Sequence, residues 1–140
     1  MSQAKEQCEA LMNEAIDFAE TLLNKNGEFF PFGQAMNAEN DIVSVAAYDG
    51  DECPPSQELI DMLKSAFRSR GKEGEYIACA LAYDVRIRSQ EDGEPIDAVA
   101  IDLDNVNDYS VTVFFPYSMQ NGEAVFGPIS AQQGNNDIFG

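Results

Sequence analysis

Acidic side chains are the residues of this sequence whose type and spacing come closest to chemistry. Asp49-x-Asp51-Glu52 and Asp102-x-Asp104 each crowd carboxylates into a few residues. Hard cations take several oxygens converging on one point. Neither stretch follows the calcium-loop pattern: the first lacks the downstream ligands, and Val106 and Val113 interrupt the second. Both are expected to be solvated acidic segments, and no metal ion is assigned. A second constellation is Asp84 and Asp102 with Arg86 and Arg88, which fall on one face of neighbouring strands. Two carboxylates beside arginines can form an acid/base site, but on a sheet surface they more often form cross-strand charge pairs. No catalytic residue is assigned to them.

Other chemistry is missing from the sequence. There is no histidine among the 140 residues, so histidine bases, triads and histidine metal ligands are all excluded. The three cysteines, Cys8, Cys53 and Cys79, are scattered. Cys8 and Cys79 sit at positions expected to be buried, as reduced thiols. Cys53 follows three acids, which raise a thiol pKa and blunt its reactivity. The glycines form no phosphate-binding pattern, so no cofactor is expected.

Charge is the extreme property. Twenty-five acidic against 8 basic residues give a net charge of −17. Such a chain repels nucleic acid and anionic membranes and attracts basic proteins. No apolar run reaches the ~20 residues of a membrane span, and the first residues form no leader pattern. The expectation is a cytoplasmic protein.

The elements that must hold these residues centre on Glu75 to Tyr117. Three strands with period-two alternation follow one another there. The odd positions carry Ile77, Cys79, Leu81, Tyr83 and Val85, then Val99, Ile101 and Leu103, then Tyr109, Val111, Val113 and Phe115. A three-residue turn, Glu91-Asp92-Gly93, pairs Val85 with Val99 and Tyr83 with Ile101. A two-residue turn at Asp92-Gly93 would pair odd with even positions and is rejected on parity. A five-residue loop, Asp104 to Asp108, pairs Val99 with Val113. The odd face is then buried, and the even face, with Asp84, Arg86, Arg88, Asp102, Ser110 and Thr112, is wet. Ala78, Ala80, Ala98 and Ala100 lie on that wet face.

Around the meander, residues 4–26 show a helical apolar stripe (Cys8, Leu11, Ala15, Phe18, Ala19, Leu22) stopped by Gly27. Residues 28–37 read as an edge or bulged strand, because Pro31 lacks a ladder donor. Phe29, Phe30 and Phe32, with Tyr48 nearby, are expected in the core or in an apolar groove. Residues 42–48 read as a strand. Ser56 caps a second helix with Leu59, Ile60, Leu63, Ala66 and Phe67 on one side, ended by Gly71. Asn121-Gly122 makes a turn before a short strand at 124–126, and the tail 130–140 reads as loose. One domain spans residues 1–140. Its fold class is α+β: a two-layer sandwich with both helices on one face of a mainly antiparallel sheet of five or six strands, in the order αββαβββ(β).

The segments Glu28 to Gly33, Ala47 to Glu52 and Ala82 to Arg86 resemble small uncharacterised bacterial acidic α+β proteins. The short, acidic, histidine-free chain is also similar to immunity proteins that neutralise bacterial toxins. That second resemblance implies a protein-binding module for a basic partner. Asp49, Asp51, Glu52, Glu91, Asp92, Asp102, Asp104 and Asp108 are the partner-facing residues expected on charge. The alternatives are a small ligand- or cation-binding domain or enzyme on the wet sheet face, and a self-associating module, a homodimer through its small exposed alanines.

Overall fold

The alternating stretch builds three long antiparallel strands, and the flanking segments extend them into a seven-stranded sheet. The computed structural model describes residues 3–27, 29, 31–45, 56–88, 93–106 and 109–134. Its elements are α1 (Gln3–Asn26), β1 (Phe32–Asn37), β2 (Ile42–Val45), α2 (Ser56–Lys72), β3 (Tyr76–Arg88), β4 (Pro95–Asn105), β5 (Tyr109–Gln120), β6 (Glu123–Phe126) and β7 (Ser130–Gln133). The strand order is β2-β1-β3-β4-β5-β6, with β7 on the same free edge of β5, beyond β6. Every pairing is antiparallel. The α+β class with a mainly antiparallel sheet is as expected.

The distribution of the helices is not. The β3–β4 connection has the rejected parity: Arg88 pairs with Pro95 and Ala82 with Ile101. Odd residues of β3 therefore share a face with even residues of β4. Gly93 takes a left-handed backbone, at φ 71°. The physical reason lies in β3 itself. From Ala78 to Leu81 it is apolar or small at every position, so either face can be buried and alternation does not choose between them.

Two cores result. On one face Ala78, Ala80 and Ala82 lie with Val99, Ile101, Leu103, Val113 and Phe115 beneath Cys8, Leu11, Ala15, Ala19 and Leu23 of α1. On the other face Cys79 and Leu81 pack with Ala35 under Leu63 and Phe67 of α2. The helices thus lie on opposite faces, a three-layer arrangement in place of two layers. The four alanines Ala78, Ala80, Ala98 and Ala100 are buried rather than exposed. Under α1 the small size of Ala78 and Ala80, with Ala15 and Ala19 opposite, lets the helix approach the sheet closely.

Other boundaries follow from local chemistry. β1 is an interior strand, between β2 and β3, and not an edge. Pro31 precedes its first residue and so costs the ladder nothing. A bulge between Met36 and Asn37 shifts the β1–β3 register. Beside it, Tyr76 packs with the α2 cluster and Ile77 with the α1 cluster. The β4–β5 hairpin has the expected parity but pairs Val99 with Phe115 and Asn105 with Tyr109, two residues from the expected register. Gly33 brings α2 close: a methyl group there would meet the Phe67 ring at 2.5 Å. α2 runs past Gly71 to Lys72, and Gly74 takes the left-handed turn at φ 78°. Asn121-Gly122 turns into β6 as expected, with φ of 55° and 81°. Residues 130–133, expected to be loose, form β7 against β5.

Amides pin α1 at both ends. Buried Asn105 donates from Nδ2 to Gln7 Oε1 at 2.8 Å, and Asn24 Oδ1 accepts from the Ala124 N–H at 2.8 Å.

Candidate functional site

The observed parity separates the two carboxylates that the sequence placed on one face. Asp84, an even residue of β3, lies on the α1 face. Asp102, an even residue of β4, lies on the α2 face. No acid/base pair forms between them.

On the α1 face, the Tyr117 hydroxyl donates to both Asp84 oxygens at 3.1 Å. Loss of water around the Asp84 carboxylate raises its pKa, and the Tyr117 hydrogen bond offsets part of that rise. The Tyr117 hydroxyl is itself pushed up, first by burial and then by the Asp84 charge. Arg86 pairs with Asp97 across the strands at 3.3 Å, both side chains being largely exposed. It is a cross-strand charge pair, but its acid is Asp97 and not Asp84 or Asp102. Arg88 donates from Nη1 to the Gly93 carbonyl at 3.0 Å.

On the α2 face, Asp102 and Asp104 enter a polar cluster beside the α2 core. Asp102 accepts from the Tyr83 hydroxyl at 3.1 Å and from Thr112 Oγ1 at 2.7 Å. Asp104, buried, accepts from Ser110 Oγ at 2.6 Å. Lys64, Phe67 and Leu81, with Asp102, Asp104, Ser110 and Thr112, line a cavity of about 20 Å³, room for about one water molecule. So Asp102 and Asp104 are strand residues tied to hydroxyls. They are not the exposed acidic loop expected of partner-facing residues. Among the described residues, no group of three or more acids and cysteines is placed to hold a metal ion.

The cysteines match their expectation. Burial, with the Asp104 charge adding to it, pushes the Cys8 thiol up to about 12. The same causes, in the same order, raise Cys79 further. Both are free and buried. Asp49, Asp51, Glu52, Glu91, Asp92, Asp108, Phe30, Tyr48 and Cys53 lie outside the described residues.

Of the two readings of the phenylalanines, core and groove, Phe29 and Phe32 take the core. Phe29 is buried and Phe32 half-buried in the α1 core. Phe32 meets Phe18 edge-on with ring centres 4.8 Å apart, and Phe29 at 5.8 Å. These rings close the helix onto the sheet.

The open apolar surface lies elsewhere. Beyond the reach of α2, a groove of about 800 Å³ runs over Ile87, Ile96, Phe114 and Pro116 to Val125 and Ile129. Val125 is 46% exposed and Ile129 57%. Arg88 contributes a positive charge to its wall.

Comparison with family models, with curated proteins and with solved structures finds no match.

Sequence reasoning missed this groove because a single wet face was assumed to hold only polar residues and alanines. The signal was present in β5. Strict alternation would leave one face of that strand polar, yet Val113, Phe114 and Phe115 are consecutive apolar residues, followed by Pro116. Such a run means that both faces carry apolar surface.

Proposed function

We propose that the chain is an acidic protein-binding module whose partner is a basic protein. Net charge carries the reading. If each of the 8 basic residues neutralised one of the 25 acids, 17 acids (25 − 8) would still be uncompensated. A field of that sign concentrates basic partners and speeds their encounter. An immunity protein that neutralises a toxin is the sharpest form of this reading, supported by the resemblance in size and charge. The acid/base alternative loses its support, since Asp84 and Asp102 lie on opposite faces of the sheet.

The test is capture of partners from the source cell by cross-linking, followed by association kinetics with the purified partner at low and high salt. A basic partner, with an association rate that falls at least about ten-fold as salt rises through the range that screens surface charge, is the expected result. An acidic partner, or a rate indifferent to salt, refutes it.

A further inference from the structure

We propose that the groove beside β6 and β7 is the docking surface, and that it takes an apolar peptide segment flanked by basic residues. The inference rests on the reading of the chain as a module for basic partners and names the surface and the partner's chemistry. Cross-strand register puts Ile87 opposite Ile96 and Ser118 opposite Val125. Ile87, Ile96 and Val125, with Phe114, Pro116 and Ile129, line a groove of about 800 Å³ whose wall also holds Arg88, Ser118, Ser130 and Gln132. Single apolar residues are ordinary on a surface, whereas here six of them line one concave groove of the size of a ligand site.

Charge selects the occupant. Glu94 adjoins Pro95, the strand partner of Arg88, and Glu123 pairs with Gln120 at the start of β6. Both acids are exposed, and both stand within a few residues of the groove wall, at the same end of the sheet. The Arg88 guanidinium in that wall already donates to the Gly93 carbonyl. A second copy of this chain would bring another net charge of −17 to the same surface, so self-docking is opposed by like charge. An apolar segment with lysines or arginines at its ends satisfies both the floor and the rim.

The test uses three twelve-residue synthetic peptides and the full chain. The first has leucines at alternate central positions between lysine-rich ends, the second replaces leucine by serine, and the third replaces lysine by glutamate. Titration calorimetry should show the leucine–lysine peptide binding at least ten-fold more tightly than either of the others. The variant Val125→Glu with Ile129→Glu should weaken that binding at least ten-fold. The sign is diagnostic: the variant is more acidic, so attraction by charge alone would tighten. Both side chains are exposed, and circular dichroism with a urea midpoint checks that the variant folds.

Equal binding of the serine–lysine peptide, or unchanged or tighter binding by the variant, overturns the groove while leaving the acidic module standing. Equal binding of the leucine–glutamate peptide overturns both. Failure of the leucine–lysine peptide to bind at millimolar concentration overturns the groove. Light scattering that shows a wild-type dimer and a monomeric variant makes the groove an interface between copies, and also overturns the proposal.

Discussion

A sheet with one helix on each face makes a prediction about energetic coupling that a one-faced sheet reverses. Phe67, on the sheet-facing side of α2, is fully buried in the same cluster as Leu81. Ile101 is fully buried on the other face, in the cluster beneath α1. Mild substitutions keep every variant folded. Phe67→Leu removes three side-chain carbons, about 2 kcal/mol at ~0.8 kcal/mol per buried carbon. Leu81→Val removes one carbon, about 1 kcal/mol by the same measure. Ile101→Val costs about 1 kcal/mol. A domain of this size has ~5–15 kcal/mol of stability, so the double variants remain measurable. Urea unfolding of the wild type, the singles and the two doubles closes two cycles. Residues that share a packed cluster couple by ~0.5–3 kcal/mol, whereas residues without shared partners add within ~0.5 kcal/mol. Phe67 and Leu81 should therefore couple, and Phe67 and Ile101 should add. In the two-layer arrangement, Leu81 and Ile101 would share one face under both helices. Stronger coupling of Phe67 to Ile101 than to Leu81 would refute the parity of the β3–β4 turn and the two-core description with it.

Other predictions follow from single contacts. Gly33→Ala should destabilise by about 1–3 kcal/mol in urea, because its methyl group meets the Phe67 ring at 2.5 Å; no change would mean that α2 sits further from β1. Asn105→Ala should cost about 1–3 kcal/mol, since it strips the Gln7 side chain of a donor in a buried corner. Hydrogen exchange should then accelerate first at the start of α1. The native carboxyl of Asp84 has a raised pKa, so its contribution to stability is fully present below the unfolded value, ~3.9, and is lost as pH rises through the native value. Asp84→Asn should accordingly gain stability relative to the wild type between pH 3.5 and pH 7, and a difference independent of pH would contradict that assignment. Cys8 and Cys79 should resist a thiol reagent at pH 8 until the chain is unfolded, as mass spectrometry of the labelled peptides would show.

Period-two alternation located the three long strands, and a helical stripe located α1 from Cys8 to Leu23, because both patterns are local. Parity of a hairpin is not local. The choice between Tyr83 facing Ile101 and Tyr83 facing Ala100 depends on which faces helices later cover, and a strand apolar at consecutive positions permits both. One wrong parity then moved Cys79, Leu81 and Tyr83 to the wrong core and made a joint site of Asp84 and Asp102. The same error hid the groove, whose Ile87 and Ile96 become neighbours only in the observed register. The Arg86–Asp97 pair was hidden with it, since the expected register places Ala98 opposite Arg86 and only the observed one brings Asp97 there. Glycine was also read only by type: Gly71 stays inside α2, and it is Gly74 whose backbone turns left-handed.

The groove follows from element lengths. β3 has 13 residues, about 43 Å at ~3.3 Å per residue. α1 has 24 residues, about 36 Å at ~1.5 Å per residue, and can cover most of its face. α2 has 17 residues, about 26 Å by the same rise, and it packs over β1 and β3. It therefore leaves the far ends of β3, β4 and β5 without a described helix on that side. In a chain selected only for solubility, those positions would be polar, as Arg86 and Asp97 are on the opposite face. They are instead Ile87, Ile96, Phe114 and Pro116, and the next segment adds Val125 and Ile129. These apolar residues, which no helix of the described chain covers, are the surface that the proposed basic partner would occupy.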